Sequence, residues 1–309
     1  MALQPNTGRD DDPYPTRLEE ERWLAREDKV LWSDWRPDAP ISARQAESFA
    51  EDGYLVLRDI FTPSEIAALA AESDALRSGE RDLLEGSLIT EPGSDEVRTV
   101  FMLPEQSAVF ANLARDRRLA GIASFLLGDD VYVHQSRLNY KPGFNGKEFY
   151  WHSDFETWHA EDGMPRMRAV SASLLLTDND ALNGPLLLMP GSHKHFIACA
   201  GETPDDNYRS SLKRQEVGVA SPEALTRLAQ ERGIDAATGP AGTLVLFDCN
   251  TMHGSPGNIT PYARSNAFFV FNAMSNQLVA LFAAAKPRPH FLAHRGRVEK
   301  LGIVTGRIA

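Results

Sequence analysis

The chain has 309 residues, is 42% hydrophobic and carries a formal net charge of -11. Nucleic acid and anionic membrane surfaces both require a concentrated positive face, so this balance argues against either as a partner. Two cysteines, Cys199 and Cys249, make no disulfide framework, no apolar run is long enough to span a bilayer, and the first residues lack the apolar stretch of a secretion signal, which together predict a reducing, cytoplasmic setting.

A chain of this length builds one substantial core, and no linker, repeat or low-complexity tract divides it, so a single domain over residues 1–309 is expected. Residues 1–40 form a charged arm containing Asp12-Pro-Tyr-Pro, whose Trp23, Trp32 and Trp35 are expected to pack onto the body. Ser42-x-x-Gln45 and Thr62-Pro-Ser-Glu65 carry capping-box spacing, in which a hydroxyl accepts from the N3 amide and the N3 side chain returns to the cap. Pro63 falls in a first turn, where its missing N–H does no harm. Between the two starts, residues 53–61 read as a strand, while Ile66, Leu69, Ala70 and Leu76 fall on one helical stripe. Residues 119–127 read as a further apolar helix closed by Gly128.

From Asp129 the pattern changes to short strands separated by turn residues, over 131–141, 149–155, 169–177, 185–190, 242–248 and 266–274. Helices followed by many short strands predict a mainly β fold with α, a jelly-roll or cupin-like barrel (a double-stranded β-helix) under an N-terminal helical layer. Residues from about 200 to 240 interrupt the strands with a polar loop and a helix capped by Ser221-Pro222; the sequence leaves open whether this insertion is a lid or a surface excursion.

Within the segment 149–155, His152 and Asp154 would share one face of a strand, and Thr251-Met-His253-Gly supplies a second imidazole roughly a hundred residues later. Two imidazoles and one carboxylate leave open positions on a metal and suit non-haem Fe(II) sites that activate O2. A lone His-x-Asp is common by chance, and a histidine beside Trp151 is often simply a packed residue. Arg264 strengthens the metal reading, because it follows His253 on what reads as the next strand and its planar fork fits the distal carboxylate of 2-oxoglutarate. Cys249, four residues before His253 in a hydrophobic strand, reads as a core residue. Gln135, Arg137 and Asn139 share one strand face, as do Arg264, Asn266 and Phe268; such a polar row either lines a site or faces solvent, and alternation alone does not decide.

The run Val133-His-Gln-Ser-Arg-Leu-Asn-Tyr-Lys-Pro-Gly-Phe144 and the segment Phe149-x-Trp-His-Ser-Asp-Phe-Glu-Thr-Trp-His-x-Glu-Asp-Gly-Met-Pro-Arg166 resemble ectoine hydroxylases of the phytanoyl-CoA dioxygenase-like group. Asn183-Gly-Pro-Leu186, Pro190-Gly-Ser-His193, Gly201-Glu-Thr-Pro204, Asn250-Thr-Met-His-Gly-Ser255 and Asn258-Ile-Thr-Pro261 extend the likeness. The resemblance implies His152, Asp154 and His253 as iron ligands, Arg264 and Ser255 with Asn139 as the 2-oxoglutarate site, and ectoine held by Gln135, Arg137, Trp158, Phe247 and Phe268, with Phe149 and Ser171 near the pocket. It also implies Fe(II), 2-oxoglutarate and O2 as the requirements, 5-hydroxyectoine, succinate and CO2 as products, and a homodimer. Ectoine is a compact ring carrying an amidinium cation and a carboxylate, so aromatic faces for the cation and Arg137 for the carboxylate make chemical sense. His159 and Glu156 are expected to fix the loop or the ligands rather than to move protons. Leu281 departs from the pattern where relatives tend to have proline, and the tail from His294 onward does not align. The competing readings are another small zwitterion, a free amino acid or an acyl thioester as substrate, a barrel that binds without turnover, and hydrolysis at Zn(II), for which Arg264 has no evident purpose.

Overall fold

The computed structural model describes residues 12–306 and 308. The expectation that the first residues carry no signal core concerns residues 1–11, which lie outside the described residues. After β1 (Arg22–Ala25), the chain forms α1 (Ala43–Asp52), β2 (Tyr54–Leu57) and α2 (Pro63–Ser78), then the hairpin of β3 (Leu88–Thr90) and β4 (Val97–Phe101). Both helix starts are as read from the sequence, with Ser42 and Thr62 each closing a complete capping box. Gly53 ends α1 at φ 83, and a side chain there would strike the His193 ring at 2.3 Å, so the position demands glycine twice over. Next come α3 (Leu103–Gln106), α4 (Ala108–Arg115) and α5 (Ile122–Leu127), with a wider π-type turn at Arg117–Gly121 replacing the first part of the helix expected over 119–127.

The barrel follows, through β5 (Val131–Lys141), β6 (Phe149–His152), α6 (Asp154–Thr157), β7 (Ala169–Leu175), β8 (Leu186–Leu188) and β9 (His195–Ala198). It continues through α7 (Tyr208–Ser211), α8 (Pro222–Arg232), β10 (Asp235–Ala237), β11 (Leu244–Asp248), β12 (His253–Ser255) and β13 (Arg264–Ala273). The larger sheet runs β2-β11-β7-β13-β5-β4-β3 and the smaller β10-β8-β12-β6, with antiparallel neighbours throughout. This is the predicted jelly-roll barrel with its helical layer.

Alternation along the larger sheet sorts its two faces. Leu138 and Tyr140 of β5, Ala172 and Leu174 of β7, Leu246 of β11 and Phe269 and Phe271 of β13 point outward and join Phe49, Leu69, Leu76 and Phe110 of the helices in the main core. The opposite face looks into the barrel, where Val245, Phe247 and Phe268 meet Leu186 and Leu188 of the smaller sheet. Gln135, Arg137 and Asn139 are on that inner face. The barrel interior thus has an apolar half and a polar half.

Four expectations need correction. The strand after Gly53 ends at Leu57, because Asp59 takes a left-handed turn at φ 59. The strand expected over 149–155 stops at His152, and Asp154 opens the helical turn α6, where acidic residues are favoured by the exposed backbone N–H groups. The insertion is not wholly outside the sheets, since β10 pairs with β8. Trp35 packs only in part, being 41% exposed with its Nε1 donating to the Ile41 carbonyl, whereas Trp32 lies under the Arg168 guanidinium and Trp23 against His195. No helix among the described residues is long and apolar enough to cross a membrane.

Candidate active site

His152 on β6 and His253 on β12 are register partners, which puts their rings side by side with centroids 4.3 Å apart. Asp154 reaches them from the first turn of α6, with Oδ1 3.7 Å from His152 Nε2 and Oδ2 3.8 Å from His253 Nε2. One ligand atom from each of the three falls within 4.8 Å of the others, making a group able to hold a metal ion. The tautomers follow from the backbone. His152 Nδ1 lies 2.7 Å from the Tyr150 carbonyl and His253 Nδ1 2.9 Å from that of Thr251. A carbonyl only accepts, so Nδ1 carries the hydrogen in both rings and each Nε2 presents a lone pair toward the carboxylate.

Burial, reinforced by the neighbouring His152, pulls the His253 pKa down to about 4, so this ring is neutral and ready to ligate at physiological pH. Burial pushes Asp154 upward, but the adjacent His253, Arg137 and His152 outweigh it and hold the carboxyl below its ordinary value. Ser171 donates to Asp154 Oδ2 at 3.3 Å. Two imidazoles and one carboxylate held together in this way suit a divalent first-row metal that keeps open positions.

A second feature calls for an anion. Arg264 and Lys141 lie directly opposite each other across β13 and β5, and both are buried, at 3% and 0% exposure. Like charges at such a pair repel, and burial magnifies the effect. Burial lowers Arg264 to about 10, and its Nε has no hydrogen-bond partner among the described residues. Burial, with Arg264 and Arg98 adding to it, lowers Lys141 to about 6; its Nζ donates to Ser255 Oγ at 2.6 Å and to the Pro256 carbonyl. Ser255 in turn donates to the Gly184 carbonyl. A dicarboxylate would relieve both cations.

The Lys141 shift has a measurable consequence. With a folded pKa near 6 against 10.5 for an ordinary lysine, the unfolded chain binds more protons in that window, so this group's contribution to stability rises with pH. Metal-free, ligand-free Lys141→Met is therefore expected to melt above the parent. Its advantage should be largest below about pH 6 and fade as the pH approaches 10.5. Parallel melting curves at all pH values would contradict the buried charge.

A cavity of about 680 Å³, lined from both sheets, lies beside the metal group. Gln135, Arg137, Asn139, Phe149, His152, Asp154 and Trp158 line it, whereas Ser171, Phe247, Ser255, Arg264 and Phe268 do not. Phe247 packs on the His253 ring at 4.8 Å, and Phe268 lies under Arg137, whose guanidinium carbon is 4.8 Å from its centroid. Arg137 also donates to Gln135, whose Nε2 donates to the Leu292 carbonyl at 2.7 Å. Asn139 accepts from Thr99 at 3.2 Å, and Phe149 sits under Arg98 at 3.7 Å.

Sequence reasoning passed over several residues here. Lys141 continues the alternating row of Gln135, Arg137 and Asn139, so the signal was present. Arg98 and Arg288 also line the cavity; Arg98 is paired with Glu91 across the β3–β4 hairpin, and Arg288 with Asp162, which is distant in sequence and which no local pattern announces. Residues 211–217 and Val219 of the insertion form part of the wall.

The sequence pattern of the phytanoyl-CoA dioxygenase (PhyH) family matches residues 49–266. An ectoine dioxygenase of Sphingopyxis alaskensis is 56% identical over 296 residues, covering 96% of this chain and 97% of that protein. The chain belongs to the ectoine dioxygenase family. The crystal structure of EctD from S. alaskensis with 2-oxoglutarate and 5-hydroxyectoine superposes with a TM-score of 0.89 at 51% identity, over 97% of this chain and 100% of that one. The same protein with bound Fe gives 0.88 at 50% identity, with the same coverage. The likeness spans the arm, the barrel and the insertion together, not the barrel alone.

Proposed function

We propose that this enzyme hydroxylates ectoine to 5-hydroxyectoine, using Fe(II), 2-oxoglutarate and O2 and releasing succinate and CO2. The observation that carries the reading is a two-histidine, one-carboxylate group beside a cavity whose β5 wall continues to the buried Lys141, opposed to the buried Arg264 of β13, in a chain with 56% identity to an ectoine dioxygenase. When bound, iron with 2-oxoglutarate supplies oxygen activation coupled to decarboxylation of the cosubstrate.

The protein's own work is binding, orientation and exclusion of water. His152, Asp154 and His253 hold the metal. Arg264 anchors the distal carboxylate of 2-oxoglutarate, with Lys141 adding charge and Ser255 and Asn139 bordering the place. Gln135 and Arg137 receive the ectoine carboxylate, and Trp158 offers its face to the ring. Phe149 closes one wall, while Phe247 and Ser171 brace His253 and Asp154. Phe268 acts through Arg137, because its face is already covered by that guanidinium. A single domain, a homodimer and a cytoplasmic location complete the reading; two buried free thiols fit a reducing compartment.

Phe268→Leu keeps most of the volume and removes the ring. It is expected to raise the ectoine KM by roughly 2- to 30-fold, the worth of one cation–ring contact, and to let 2-oxoglutarate be consumed without matching product. Parent-like KM and coupling would return Phe268 to simple packing. The function itself is tested by incubating anaerobically purified protein with Fe(II), 2-oxoglutarate and ectoine, admitting air, and following products by mass spectrometry. Hydroxyectoine formed in step with succinate supports the assignment; another zwitterion turned over in preference to ectoine overturns it.

A further inference from the structure

A deeply buried ion cluster beside the cavity joins three segments that are remote in sequence. Arg17, from the N-terminal arm, forks onto Glu156, with Nε 2.7 Å from Oε1 and Nη2 2.9 Å from Oε2, and the same Nη2 reaches Glu161 at 3.1 Å. Both side chains of the fork are 2% exposed. Thr16 adds a hydrogen bond to Glu156 at 2.7 Å. Glu156 belongs to α6, between Asp154 and Trp158, so the arm grips the turn that carries a metal-group carboxylate and a cavity wall.

The third segment is 207–219 of the insertion, and the cluster holds it at both ends. Asn207 donates to Glu161 at 2.9 Å. At the other end Gly218, at φ +74, lies so close that a Cβ there would fall 2.2 Å from Glu156 Oε2 and 2.6 Å from Arg17 Nη2. Between these anchors, residues 211–217 line the cavity. Arg17 also adopts a left-handed backbone at φ 59, a conformation that side chains other than glycine keep only when their surroundings enforce it. One guanidinium serving two buried carboxylates cannot be removed without leaving them to repel each other.

We infer that Arg17 is a positioning residue for hydroxylation, through which the arm seats the 207–219 segment over the cavity and fixes the Asp154–Trp158 turn. The inference rests on the function proposed above. A seated segment excludes water and holds the substrate still, so its loss uncouples the reaction rather than removing the metal site.

The test compares the parent with Arg17→Met, Arg17→Lys and Gly218→Ala. Each is read by protease cutting within 207–219, by the KM for ectoine against that for 2-oxoglutarate, and by succinate formed per hydroxyectoine. Arg17→Met should be cut roughly tenfold faster or more, with a higher ectoine KM, a 2-oxoglutarate KM near the parent's and excess succinate. Arg17→Lys should rescue in part, since an ammonium keeps the charge but not the fork. Gly218→Ala should open the segment with the arm intact, and it decides the matter alone if Arg17→Met fails to fold. Parent-like protection and coupling in Arg17→Met or Gly218→Ala would overturn the inference, as would an equal rise in both KM values. If the parent itself makes no hydroxyectoine, the functional reading fails, while the cutting rates still show whether Arg17 seats the segment.

Discussion

Replacing His152, Asp154 or His253 singly with alanine is expected to abolish ectoine-dependent turnover and to weaken Fe(II) binding by more than about tenfold. Each variant leaves two ligands where three converge within 4.8 Å. Among the described residues no fourth ligand joins the group, and Cys249 is buried in a different cluster, with Tyr14 and Phe155. The fold should survive, because none of the three side chains belongs to the large core under the helices. Asp154→Ala should have the broadest effect, since it removes a charge that two imidazoles, Arg137 and Ser171 all face. Anaerobic metal titration and succinate release check the result, and full activity in any one variant would dismiss that residue as a ligand.

The second large effect is expected from Arg264→Ala, which should raise the 2-oxoglutarate requirement by about tenfold to a hundredfold, the worth of a charged hydrogen-bond pair of about 1.5 to 3 kcal/mol. Lys141, directly across the strand pair, keeps one hydrogen-bond donor in place, so the loss should be graded rather than complete. Iron should still bind and the ectoine KM should stay close to that of the parent. Damage confined to ectoine binding would mean that the two ends of the cavity have been exchanged.

Local signals in this chain were legible, and long-range ones were not. The capping boxes at Ser42 and Thr62 form as read, because a cap is decided by residues three apart. The barrel strands emerge close to their predicted places, since alternation is a property of each strand alone. Asp154 shows where such reasoning stops: a two-residue spacing fits a strand face, but the chain turns into α6 just before it, and the carboxylate reaches the same point by another route. Lys141 was missed although it continues a polar row, because a lysine near a strand end looks like a solvent-facing residue until burial is known. Arg17 with Glu156, and Arg288 with Asp162, depend on tertiary folding and leave no periodic trace.

The most direct test of the central claim follows the oxygen atoms. Protein loaded with Fe(II) and 2-oxoglutarate is given ectoine under isotopically heavy O2 in ordinary water, and both organic products are weighed by mass spectrometry. The account predicts heavy oxygen in succinate and in the hydroxyl group of hydroxyectoine, with the two products formed in equal amounts. Heavy succinate beside unchanged ectoine would contradict the substrate assignment, and unlabelled succinate would contradict the oxygenase reading altogether.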